Sequence, residues 1–90
     1  MKNTYRYKSY YVYFTSKCLI EAFHVHSGKD KKRSGSAKFF IRANGDTVIA
    51  SKGRLSDKTV AEIQDYIKSN YRDIYKDWLA SGGTPGFYNK

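Results

Sequence analysis

Ninety residues with a formal charge of +9 make a single domain, and a chain this short buries only about 60–65% of its unfolded surface, so its core is small. A lone cysteine, Cys18, excludes an internal disulfide, no stretch approaches the ~18 apolar residues of a membrane span, and residues 1–6 lack the apolar run of a signal peptide; the expected compartment is the cytoplasm. The charge is segregated: residues 1–54 hold twelve Lys/Arg against three acids, whereas residues 55–90 hold five of each sign.

In chain order, residues 10–15 (Tyr-Tyr-Val-Tyr-Phe-Thr) are aromatic and β-branched, which predicts a strand whose start reaches back toward Tyr5. Residues 16–22 are a connection without clear periodicity. Phe23-His24-Val25-His26 alternates, with Phe23 and Val25 on one face and the two histidines, half exposed, on the other. Residues 27–36 carry two glycines, three serines and four basic side chains with nothing apolar, which predicts a mobile basic loop.

Asn44-Gly45 between two strand-like runs predicts a hairpin with a two-residue turn. That register opposes Arg42 to Thr47, Ile41 to Val48, Phe40 to Ile49 and Phe39 to Ala50. Phe39, Ile41, Val48 and Ala50 then form a core face. Lys38, Arg42, Thr47 and Ser51 surround Phe40 and Ile49 on the other, a basic face with an aromatic in it that is either open or covered by neighbouring chain.

Ser56 is a helix N-cap, and apolar residues at Val60, Ile63, Ile67, Tyr71, Ile74 and Trp78 recur at steps of 3 or 4. The stripe fits one helix, but Ser69-Asn70 offers a second cap with Asp73 three residues on, which favours two. Gly82-Gly83 and Pro85 end the helical region, leaving a tail over 82–90 whose Phe87 and Tyr88 are suited to fold back. Strands followed by helices predict one α+β domain over 1–90. Its antiparallel sheet has about four strands, and one or two C-terminal helices cover one face.

Candidate chemistry centres on His24 and His26. Two imidazoles at i and i+2 on a strand point the same way and could share a metal if Cys18 or Asp30 supplied a third ligand. The spacing matches no zinc signature, so no metal and no cofactor is expected. One histidine could instead serve as acid or base on an RNA 2′-hydroxyl. Cys18 reads as a small core residue. Lys29, Lys31, Lys32 and Arg33 read either as a flexible phosphate-binding group, joined by Lys38, Phe40 and Arg42 on the hairpin, or as a solvated loop. The glycines Gly28 and Gly35 lack the ending and helix of a P-loop.

Tyr11-Val12-Tyr13-Phe14, Phe23-His24-Val25-His26, Ala37-Lys38-Phe39-Phe40 and a helical end with Ile63, Ile67, Asn70, Ile74 and Trp78 together resemble a bacterial family, domain of unknown function 4160, over about residues 10–80. Glu21-Ala22 stands where that family usually has Pro-Pro. The resemblance implies a toxin-like half of a toxin–antitoxin pair with an acidic or neutralising partner, and points to His24, His26 and Lys38. The expected function is a basic module that binds RNA or an acidic protein partner. The alternatives are a ribonuclease-like enzyme using His24 or His26, with Lys38 or Arg42 stabilising phosphate charge, and a pure protein-interaction module.

Overall fold

The computed structural model describes residues 2–31 and 35–89. Its elements are β1 (Thr4–Tyr7), β2 (Tyr10–Tyr13), a 3-10 turn (Ser16–Ile20), β3 (His24–Gly28), β4 (Ala37–Ile41), β5 (Thr47–Ser51) and α1 (Asp57–Ala80). The five strands form one antiparallel meander in the order β1-β2-β3-β4-β5, so the fold is α+β with one more strand than the expected four. The extra strand arises at its start. Tyr5 and Tyr7 form β1 by themselves, separated from β2 by a tight turn in which Lys8 takes φ 52°.

The α1 helix is continuous through Asn70, which corrects the expected break into two. Asn70 does not cap a second helix; its Nδ2 donates 2.8 Å back to the Tyr66 carbonyl, four residues earlier. A mid-helix Asn can bond backward in this way without interrupting the ladder. The buried stripe Val60, Ile63, Ile67, Ile74 and Trp78 runs the whole length of the helix. Each such residue contributes roughly 1.5–3 kcal/mol on burial, more than a weak internal cap signal can offset. Ser56 caps the start, its Oγ accepting from Thr59 N–H.

The hairpin register differs by one residue from expectation. Ile41 opposes Thr47, Phe40 opposes Val48, and Phe39 opposes Ile49. The loop has three residues, 43–45: Arg42 N–H reaches Asp46 O at 2.8 Å, and Gly45 N–H reaches Arg42 O at 2.9 Å. Only Gly45 takes positive φ, at 88°, whereas a two-residue turn of the expected kind needs it at Asn44 as well. Asn44 instead accepts from Asp46 N–H through Oδ1. A shift of one residue exchanges faces. Thr47 and Ile49 therefore join Phe39 and Ile41, where Thr47 accepts from Gln64 of the helix, and Val48 joins Phe40. A bulge between Lys38 and Phe39 takes up the mismatch and brings Ser51 opposite Lys38.

The core lies between sheet and helix, with Tyr5, Val12, Phe14, Phe23, Val25, Phe39 and Ile41 facing the α1 stripe. The tail closes over one end. Trp78 Nε1 donates to Thr84 O, Thr84 N–H donates to Leu19 O, and Tyr88 N–H donates to Ile41 O. Phe87 packs between Phe23 and Tyr75, as its position in the sequence suggested. Among the described residues no helix is long and apolar enough to cross a membrane.

Candidate functional site

Alternation along β3 puts Val25 in the core and His24 and His26 on the opposite side, opposite Phe40 and Lys38 of β4; His26 also opposes Tyr13 of β2. Both histidines were expected to be half exposed. They are buried, at 0% and 4% exposure. His24 is enclosed by the rings of Phe40 and Trp78, at 5.5 and 5.7 Å between centroids, and His26 lies 5.7 Å from the Tyr13 ring.

The chain between β2 and β3 supplies the third member of this group. Its 3-10 turn buries Cys18 and brings its thiol to the histidines, so that one ligand-type atom from each of Cys18, His24 and His26 lies within 4.8 Å of the others. Thr15 fixes the sulfur: its N–H donates to Sγ at 3.4 Å, and its hydroxyl lies 3.4 Å from the same atom. Burial alone would push the Cys18 thiol up, but His24, His26 and Thr15 stabilise the thiolate and hold it at about 5. His24 Nδ1 lies 2.9 Å from the Ala22 carbonyl, which only accepts, so Nδ1 carries a proton there. Among the described residues, the Nε2 atoms of both buried histidines have no hydrogen-bond partner.

Lys38 and Phe40 are engaged within the domain. Lys38 Nζ pairs with Glu21 at 2.9 Å and sits 4.9 Å above the Phe40 ring, and Phe40 stacks on Tyr88 of the tail at 4.4 Å. Of the two sequence options for Phe40, the structure thus shows the covered one. Arg42 is exposed beside a shallow cleft of about 420 Å³ shared with Asp46, Gln64 and Lys68. Lys68, aided by Asn44 and Arg42, holds the Asp46 carboxyl below its usual range.

The loop after β3 is shorter than the composition of 27–36 implied. Ser27 and Gly28 belong to β3, and Ser36 is buried, its hydroxyl 2.8 Å from the Tyr13 phenol. Small polar side chains can be buried when they bond to their neighbours, which a count of apolar residues does not reveal. Lys29 and Lys31 are exposed; Lys32 and Arg33 lie outside the described residues. Lys29 borders a cleft of about 520 Å³ that also takes in Tyr10, Asp30, Gly35, Arg54, Ser56 and Thr59. Arg54 is placed there by its N–H donating 2.9 Å to Gly35 O, and Tyr10 by the β2–β3 register, which sets Tyr11 opposite Gly28. Among the described residues Lys29, Lys31 and Arg54 form no ion pair.

The expected residues therefore form three groups. His24 and His26 join Cys18 inside the domain, Lys38 sits over Phe40, which stacks on the tail, and Lys29 and Lys31 stand at the end of β3 away from Arg42. Tyr10 and Arg54 were not singled out by sequence. Arg54 follows a strand-ending glycine and precedes a helix cap, and that placement at a loop mouth was the available signal.

A family model described as Domain of unknown function (DUF4160) matches residues 9–79, which runs from the start of β2 almost to the end of α1 and omits β1 and the tail. No curated protein and no solved structure matches the chain.

Proposed function

This chain belongs to the family Domain of unknown function (DUF4160), and we propose that it is a binding module for single-stranded RNA that engages the phosphate backbone at the cleft between the β3–β4 loop and the start of α1. The observation that carries this reading is the cleft's composition. Exposed Lys29 and Arg54, without ion pairs among the described residues, stand beside the half-buried ring of Tyr10. Cations that follow a backbone, next to an aromatic on which a base can stack, are the usual means of holding single strands. The excess charge of residues 1–54 adds a long-range attraction of the same sign.

Catalysis by His24 or His26 receives no such support. Both rings are buried and neither lines the clefts described above, whereas an acid or base must come within hydrogen-bond reach of the substrate. In a toxin-like setting the same basic cleft would be where a neutralising acidic partner competes with RNA.

Fluorescence anisotropy of a short mixed-sequence RNA over a salt series tests the proposal. Each phosphate contact contributes about −0.7 to the slope of log K against log salt for a single strand. Replacing Lys29 and Arg54 together with Ala is expected to weaken binding and make the slope shallower by about 1.4. An unchanged slope, or binding of poly-glutamate but not RNA, would refute it; the latter would point to an acidic protein partner.

A further inference from the structure

We propose that Cys18 Sγ and one ring nitrogen each of His24 and His26 form a binding site for a single divalent cation of the zinc class. The three donors already lie within 4.8 Å of one another, so only a small contraction separates them from a coordination sphere. They come from two rigid supports: a 3-10 turn whose Cys18 sulfur is held by Thr15, and a central strand paired on both sides. Buried polar atoms are nearly always paired, yet among the described residues the Nε2 atoms of both rings have no partner. A cation satisfies both at once.

The state of the rings fits this use. His24 Nδ1 donates to the Ala22 carbonyl, which fixes the ring's orientation and leaves Nε2 as the atom that can turn to the metal. A hydrogen bond from the other ring nitrogen to a carbonyl is the common support of a metal-binding histidine. One thiolate and two imidazoles, with no carboxylate in the group, suit zinc and its neighbours rather than magnesium or calcium. Three protein donors leave the fourth corner of a tetrahedron to a small oxygen ligand. The cluster lies among the rings of Tyr13, Phe40 and Trp78, so the ion would tie the 3-10 turn to β3 inside the domain. This site is separate from the basic cleft, and its test is independent of RNA binding.

The full chain, stripped with chelator, is titrated with cobalt(II). The proposal expects one equivalent to bind, with a thiolate-to-cobalt charge-transfer band in the near ultraviolet, d–d bands of tetrahedral intensity, and displacement by zinc(II). Zinc is also expected to raise the melting temperature, and Cys18→Ser to abolish the band. Should Cys18→Ser not fold, the wild-type protein still decides, because long-range ¹⁵N spectra report one ring nitrogen each of His24 and His26 directly. Large zinc-dependent shifts there support the site. Unmoved ring nitrogens at excess zinc, or metal binding of equal strength in folded Cys18→Ser, would overturn it.

Discussion

Tyr5 fastens β1 to the far end of the helix, its phenol donating to the Asp77 carboxylate across most of the sequence. Burial, reinforced by the Asp77 charge, raises the Tyr5 phenol well above the ordinary tyrosine value of about 10. Burial raises Tyr66 as well. The native state therefore keeps these protons where the unfolded chain has lost them. Their contribution to stability is complete below pH of about 10 and declines as pH rises beyond it. Tyr5→Phe is expected to cost about 1–2 kcal/mol at neutral pH and to flatten the alkaline loss, as measured by urea unfolding at a series of pH values. An alkaline loss as steep in Tyr5→Phe as in the wild type would show that the phenol is not its source.

At the scale of elements, the long helix and its stripe were legible because six apolar residues at steps of 3 or 4 leave little choice. Its continuity was not, because Ser69-Asn70 with Asp73 reads as a cap until the backward bond from Asn70 to Tyr66 is seen. The hairpin was legible as a hairpin but not in register. Asn-Gly fits the centre of a two-residue turn and also the second half of a three-residue loop, and only the tertiary fit chooses between them. In the observed loop Gly45 has φ 88°, and a Cβ there would come within 2.6 Å of the Tyr71 ring. Gly45→Ala is therefore expected to destabilise the domain by about 1–3 kcal/mol from backbone strain, with a further cost from displacing Tyr71, measured by chemical denaturation. A neutral result would contradict the three-residue loop. The cluster of Cys18 with the histidines was only partly legible. The common face of His24 and His26 follows from strand alternation, but the return of Cys18 depends on a short 3-10 turn whose sequence has no periodicity to read.

At the scale of the molecule, the ion pairs among the described residues that join the strand-rich part to the helix are Lys8–Glu62, Lys52–Asp57 and Lys68–Asp46. They lie at the surface, where solvent screens them, so the buried stripe rather than charge holds sheet to helix. These pairs occupy Asp57 and Glu62 of the helix and its Lys68, and among the described residues leave Lys29, Lys31 and Arg54 outside any ion pair. That residual charge at the mouth of a cleft is the basis of the functional reading. The most direct test is an amide-shift titration of the ¹⁵N-labelled chain with a short mixed-sequence RNA at low and moderate salt. Shifts gathered at Tyr10, Lys29, Lys31, Gly35 and Arg54 that weaken as salt rises are the predicted result. No shifts at low salt, or salt-insensitive shifts centred on exposed Ile20 and Leu79 instead, would contradict it.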